Sequence, residues 1–337
     1  MKLENICAAN ADDLILMLER GEFSLLKSMR KKIFCGSRIT FDQFAGIVSW
    51  QMGLLVMNVI VGPACRFVLF CILLGGGKIK NDEYWQKKRA KAVKVIAFFF
   101  PDKTVGEPDG FGDASMIVGF NHPTLHEAVG IIGWSLKKFP GRRNIFPANT
   151  PWYESVCIRS DTLKKMGICL TPLITPNTFK KLNRMHANDN EMTEIIKSVS
   201  DKLLNRYFSE AIVCIGDGGN VFAAPSSTRQ PCVFPKPERF HTGADAVKLP
   251  PVMSSLMLRT NRAFKNKPAK LVFLPVTIIP PGFRMKRFNG LKLFRRYKMV
   301  VGKEIFADEA IKAGRSLDRE FLLRIAENAP PDMRYPK

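Results

Sequence analysis

The stretch Ser115-Met116-Ile117-Val118-Gly119-Phe120-Asn121-His122-Pro123-Thr124-Leu125-His126-Glu127-Ala128 decides how the chain folds. Met116 to Phe120 is an apolar strand that ends at Asn121-His122. Pro123 suits a first helical position, where its missing N–H would have no partner anyway, and an apolar-faced helix follows through Trp134 and Leu136. Outward from this unit the same alternation continues. Ile212 to Ile215 and Leu271 to Val276 read as further strands, and Glu191 to Phe208 sets Met192, Ile195, Ile196, Val199, Leu203, Leu204 and Phe208 at helical spacing, a face that packs into a core. There is no internal repeat and no low-complexity linker, so residues 81–337 are expected to form one α/β domain, a mixed sheet flanked by helices.

Two segments precede that domain. Residues 1–40 carry an acidic-to-basic helical stretch from Asp12 to Lys32, with no basic opening, apolar core and small-residue cleavage site of the secretory kind. Residues 41–80 hold the most apolar run of the chain, Phe44 to Leu74, with Arg66 its only charge. That run exceeds the roughly twenty residues that cross a bilayer. Gly62-Pro63 breaks it near the middle and Gly75-Gly76-Gly77 closes it, which predicts an N-terminal apolar helical hairpin. One span, a helical hairpin or two short membrane-embedded helices forming a re-entrant or monotopic anchor, and a buried pair of core helices all fit the pattern. Arg30, Lys31 and Lys32 before it, and Lys78, Lys80, Lys87, Lys88 and Arg89 after it, suit an anchor whose ends both face an anionic surface.

The formal net charge of +22 on 337 residues calls for an anionic partner. Nucleic acid is disfavoured, because the sequence has no zinc-finger spacing, no RNA-recognition signature with paired aromatics and no helix-turn-helix pattern. The cysteines (Cys7, Cys35, Cys65, Cys71, Cys157, Cys169, Cys214, Cys232) are scattered without a C-x-x-C pair, which fits a reducing, cytosol-facing environment. His122 and His126 have no nearby thiolate and no H-E-x-x-H frame, so no metal is expected.

A histidine at a strand-to-helix turn is presented outward. To act as a general base it needs a near-neutral pKa and a partner that accepts its other N–H. Glu127, in the first turns of the following helix, can be that partner. Five residues apart on one continuous helix they would point in different directions, so the turn has to bring them together. The competing reading makes His122 a capping surface histidine and Glu127 a carboxylate placed for the helix dipole.

Asn121-His122-x-x-x-x-Glu127 resembles the NHX4D block of the phospholipid/glycerol acyltransferases, a PlsC-like family. Later blocks follow in the family's order. Met166-Gly167-Ile168-Cys169-Leu170 resembles the second block without its arginine, and Ala224-Pro225-Ser226-Ser227-Thr228-Arg229 resembles the Pro-Glu-Gly-Thr-Arg block without its glutamate. Phe240-His241-Thr242-Gly243-Ala244 is similar to the F-x-x-G-A that follows it, Leu274-Pro275-Val276-Thr277-Ile278 matches the fourth block, and Val301-Gly302-Lys303-Glu304-Ile305 resembles the closing strand. In all, the similarity covers about Ala90 to Phe306. An alternative alignment sets Ile215-Gly216-Asp217-Gly218 in the third block's place, with Asp217 for the glutamate. Glu127 stands where aspartate is usual; the late acyltransferases of lipid A synthesis are similar in accepting glutamate there.

The resemblance implies a glycerolipid acyltransferase-like fold and an O-acyltransferase, 1-acylglycerol-3-phosphate acyltransferase-like. It would move a fatty acyl group from an acyl thioester, acyl-CoA or acyl carrier protein, to a hydroxyl of a glycerolipid or lysophospholipid acceptor. His122 takes the acceptor proton, Glu127 steadies the imidazolium, and no cofactor or metal is needed. Asn121, Asp217, Thr228, Arg229 and Pro275 are then the expected substrate-binding positions, with Arg229 as a phosphate-binding guanidinium. The resemblance also implies a membrane-associated protein with its site facing the cytoplasm. The rival reading is a catalytically inactive acyltransferase-like scaffold that binds basic-side-down on lipid. Arg284, Lys286, Arg287, Lys292, Arg295, Arg296 and Lys298, interleaved with aromatics, suit an anionic membrane surface, the phosphates of coenzyme A, an acidic carrier protein, or a solvated sheet edge.

Overall fold

The computed structural model describes residues 62–74, 82–106, 113–121, 127–149, 161–186, 189–225, 252–264, 270–281 and 295–333, with the single positions 8, 13, 48 and 59. Most of the expected N-terminal hairpin lies outside them. The helices are α1 (Gly62–Leu73), α2 (Asp82–Phe99), α3 (Glu127–Lys138), α4 (Asp161–Lys165), α5 (Pro176–Met185), α6 (Asn190–Gly216), α7 (Val252–Ala263), α8 (Ala307–Ala313) and α9 (Leu317–Glu327). The strands are β1 (Asp102–Val105), β2 (Ser115–Phe120), β3 (Asn144–Asn149), β4 (Ile168–Leu173), β5 (Asn220–Ala223), β6 (Leu271–Ile279), β7 (Tyr297–Val301) and β8 (Ile305–Phe306). By compactness the chain divides into two units, one of residues 1–70, 147–160 and 170–209, the other of 71–146, 161–169 and 210–337.

The second unit holds most of the mixed α/β sheet, whose strand order is β1-β7-β6-β2-β5-β3-β4 with β8 paired to β6. β2 pairs in parallel with both β5 and β6, while β7 runs antiparallel to β6. All six residues of β2 are buried, which requires cover on both faces. In-register residues of neighbouring strands share a face, so Val118, Phe222 and Leu274 lie together. On that face Trp134 of α3 meets Phe222 edge-on, Phe146 stacks on Phe222 at 4.4 Å, and Gly133 lets α3 close on Ile96 of α2. Ile117, Gly119 and Phe273 form the opposite face, where Phe321 of α9 approaches Phe273 at 6.1 Å.

The expected strand at Ile212–Ile215 is instead the last turn of α6. Ala211, Cys214 and Ile215 are buried while Val213 is 56% exposed, so the helical spacing that begins near Ile195 runs straight through the apolar tetrad. Four apolar residues fit either period, and the long helix before them settles the outcome. The strand comes later, at Asn220–Ala223, after a turn at Gly218 with φ 75°. Gly167 has φ 83°, and a Cβ there would lie 2.8 Å from the Arg142 carbonyl oxygen, so the glycine of the second block is needed to turn the chain into β4.

In the first unit, α5 opens with Pro176 behind Thr175, whose hydroxyl accepts the Thr178 N–H. Thr178 in turn donates to Asn149 at 3.1 Å. The described part of α6 in this unit buries Ile195, Ile196, Val199, Leu203 and Tyr207, the face expected from its spacing.

Candidate functional site

β2 ends at Phe120, and Asn121 follows it buried at 6% exposure. Its amide nitrogen donates to the Ile278 carbonyl at 2.9 Å, and its amide oxygen accepts the Ile278 N–H at 2.6 Å. The side chain thus imitates a peptide group and carries the β2–β6 ladder one step past the end of β2. His122 is the next residue in sequence; positions 122–126 lie outside the described residues. The backbone resumes at Glu127, the first residue of α3. Buried Ile131, Trp134 and Leu136 hold α3 against the sheet, and Gly130 passes Met299 of β7 at ordinary contact distance.

Because β2 and β5 are adjacent and parallel, the segments after Asn121 and after Ala223 leave the same end of the sheet. The helix that follows β2 packs on the Phe222 face, whereas α7, the next described helix after β5, packs on the Gly119 face through Met253. In open α/β sheets the usual ligand position lies beyond the carboxyl ends of neighbouring parallel strands whose following helices pack on opposite faces. Asn121 stands at that end of β2, and Ala224-Pro225, the start of the third block, at that end of β5. Thr228 and Arg229 lie outside the described residues.

Asp217 falls elsewhere. It sits exposed in the turn between α6 and β5, before Asn220, which registers with Met116 at the beginning of β2. The six-residue strand separates that edge from Asn121 by roughly 15–20 Å, and the structure does not bring Asp217 and Asn121 together. The alignment through Asp217 therefore leads to the opposite edge, and the one through Ala224-Pro225 leads to the Asn121 edge.

Pro275 is a buried interior residue of β6, a rare place for a residue without an N–H. Ile278 turns its peptide toward β2, so by alternation Pro275 turns its own away, toward the gap between β7 and β8. There its carbonyl accepts the Gly302 N–H at 2.8 Å, and a Cβ on Gly302 would lie 3.2 Å from the proline ring. The missing donor coincides with the one stretch where β6 exchanges partners. Arg324 of α9 secures that stretch by donating to the Lys303 and Glu304 carbonyls at 3.1 and 2.7 Å and pairing with Glu309 and Glu320.

Sequence reading missed Asp318. From the first turn of α9 its buried carboxylate accepts the Met253 N–H at 2.7 Å, the Ser254 N–H at 3.0 Å and the Ser254 hydroxyl, and so caps α7. Burial raises its pKa above the ordinary carboxylate value, against the lowering effect of the Ser254 and Met253 hydrogen bonds. The N-terminus of α7 lies beneath Gly119, because a Cβ on Gly119 would strike the Phe321 ring and come within 3.0 Å of Met253. No local pattern announces this cap, since its partners are 64 and 65 residues apart.

The other edge of the sheet is closed by polar pairing. Asn220 accepts the Met116 N–H at 3.2 Å and donates to Asn144 at 3.0 Å, while Asn144 reaches the Gly167 carbonyl. Cys214 is buried beside them with its thiol pushed up to about 12 by loss of solvent, and Arg143 donates to Cys169 at 3.2 Å. Among the described residues no cluster of three or more His, Cys, Asp or Glu could hold a metal ion.

No protein-family model matches the chain, and no curated protein does. Among solved structures the chain is similar to the crystal structure of the 1-acyl-sn-glycerophosphate (LPA) acyltransferase, PlsC, from Thermotoga maritima, at 14% identity and a TM-score of 0.39, over 86% of this chain and 97% of that one.

Proposed function

We propose that the chain is an acyltransferase that moves a fatty acyl group from acyl-CoA or acyl carrier protein to a hydroxyl of a glycerolipid or lysophospholipid. The observation that carries this reading is that β2 and β5 are adjacent and parallel, so that Asn121, next to His122 in sequence, and Ala224-Pro225, the start of the third block, stand at the same end of the sheet. His122 takes the acceptor hydroxyl's proton as the oxygen attacks the thioester carbonyl. Glu127 accepts the other imidazole N–H and balances the imidazolium, and the tetrahedral intermediate collapses with departure of the thiolate, which takes back the proton from His122. Arg229 and Thr228 are proposed to meet the acceptor phosphate.

We place the protein at a membrane with this site toward the cytoplasm. Support comes from α1, which exposes Phe67 and Phe70 at 59% and 58%, and from Leu74 just after it, 50% exposed, whose carbonyl accepts from Lys88 and Lys91. No helix among the described residues is long and apolar enough to cross a membrane. The absent glutamate of the third block, with Ser226 and Ser227 in its region, favours the rival reading of an inactive lipid-binding scaffold.

The test is incubation with a panel of radiolabelled acyl thioesters, on coenzyme A and on carrier protein, and lysolipid acceptors, read by product chromatography. Transfer that His122→Ala lowers by about a hundred- to ten-thousand-fold is expected. Absence of transfer from every donor would instead support the scaffold.

A further inference from the structure

Asn121 has the hydrogen-bonding capacity to bind a substrate, yet the structure spends it on a strand. Both polar atoms of its amide engage one residue, through the N–H and C=O of Ile278, and the side chain is almost wholly withdrawn from solvent. Ile278 is itself fixed from the far side by antiparallel pairing with Met299 of β7, and its neighbour Thr277 donates a buried hydroxyl to the Ile325 carbonyl of α9 at 2.6 Å. The amide therefore bolts the residue just after β2 to a stretch of β6 that β7 and α9 already hold. Six residues on, α3 begins at Glu127 and is held by its own packing against the sheet. Asn121 is thus the described residue next to His122 in sequence, and it is fixed to the sheet.

We infer that Asn121 is a positioning residue: through its paired hydrogen bonds to Ile278 it fixes the point at which the chain leaves the sheet, and hence where the His122 imidazole stands relative to the thioester. This rests on the acyltransferase reading of the same site. The chemical basis is geometric, since a general base works only within hydrogen-bond reach of the proton it removes, and a displacement of about 1 Å costs on the order of a hundredfold in rate. Substrate affinity has no reason to change, because the amide faces protein. The amide also has to be an amide. A carboxylate at this place accepts the Ile278 N–H but repels the Ile278 carbonyl, and an alanine does neither.

Asn121→Ala and Asn121→Asp are to be compared with wild type and His122→Ala by steady-state kinetics with varied donor and acceptor, by thermal unfolding, and by hydrogen exchange at the Ile278 amide. The expected result, well below the unfolding temperature, is kcat lowered roughly ten- to a hundredfold with both KM values within about twofold, together with lost protection at Ile278. Should kcat per folded molecule stay at wild type while only the unfolding temperature drops, Asn121 is a stability residue and the inference is overturned. A raised acceptor KM with unchanged kcat overturns it in favour of direct binding. If Asn121→Ala does not fold, the kinetics of Asn121→Asp, which keeps one of the two bonds, decide between these outcomes. Failure of the acyltransferase reading is seen separately, as activity that is absent in wild type or unaffected by His122→Ala; a positioning role then falls with it, whatever exchange at Ile278 shows.

Discussion

Removing the Asp318 carboxylate tests how α7 is held against the sheet. In Asp318→Ala the N–H groups of Met253 and Ser254 and the Ser254 hydroxyl lose their acceptor in a place where Met253 and Ser254 are 0% and 2% exposed. A buried donor left without a partner costs about 1–3 kcal/mol, so two backbone donors set a loss of roughly 2–6 kcal/mol, beyond what an exposed helix cap contributes. Asp318→Asn keeps one acceptor and turns an NH2 toward Ser254, whose hydroxyl can rotate to accept it, for a smaller loss of about 1–3 kcal/mol. The pH dependence separates charge from shape. Burial raises the native pKa of Asp318 above the unfolded value of about 3.9, so between the two the folded state keeps a proton that the unfolded state has lost. Its contribution to stability is thus greatest below that window and declines as pH rises through it. Urea unfolding in detergent at steps from about pH 4 to about pH 7 is the assay, with the slope of wild type minus that of Asp318→Asn as the quantity read. Equal slopes, or an alanine variant within about 0.5 kcal/mol of wild type, would falsify the account of a buried, charged cap.

Glu127→Gln is expected to lose transfer about as severely as His122→Ala, whereas Glu127→Asp keeps more, because an imidazolium needs a neighbouring charge more than an exact reach; a fully active glutamine variant in the same chromatographic assay makes Glu127 a helix-end carboxylate. Gly119→Ala drives a methyl into the Phe321 ring and should destabilise by about 1–3 kcal/mol in thermal or urea unfolding, with part of that recovered by Phe321→Leu; no loss would mean that α9 sits farther from β2 than described. Full-length protein in washed membranes should survive concentrated salt and be released by detergent, and Phe67→Ser with Phe70→Ser should shift it toward the salt wash. Protein that stays in the supernatant of a detergent-free lysate refutes the anchor.

What the sequence disclosed, it disclosed through local pattern. β2 and β6 were legible because continuous apolar runs bounded by polar turns have few alternatives, and the buried face of α6 followed from spacing. Ile212–Ile215 misled because four apolar residues carry no period of their own, and only the uninterrupted helix before them shows which one they join. Long-range hydrogen bonds were invisible for a different reason. Asn121 with Ile278, Asp318 with Met253 and Asn220 with Met116 join residues 157, 65 and 104 positions apart. Nothing near any one of them in the chain marks its partner. In sequence Asn121 stood out only as the neighbour of a histidine, and its amide read as a substrate contact.

The two edges of the sheet differ in a way that bears on Asp217. Where β2 and β5 begin, the Asn220–Asn144 pair, the Arg143–Cys169 contact and the buried Cys214 occupy the polar groups of four successive segments, and Asp217 lies outside that closed edge. Where the same strands end, the amide of Asn121 extends the β2–β6 ladder, and the next described helices, α3 and α7, pack on opposite faces. Chemistry needs unspent donors and acceptors, and protein–protein hydrogen bonds have already consumed them at the first edge. A carboxylate substituting for the third block's glutamate would have to act at the second edge, roughly a strand's length from Asp217. On the proposed acyltransferase reading, Asp217→Ala should leave transfer unchanged while Arg229→Ala, in the segment that begins at Ala224-Pro225, raises the acceptor KM; the reverse pattern would move the acceptor site to the Asp217 edge.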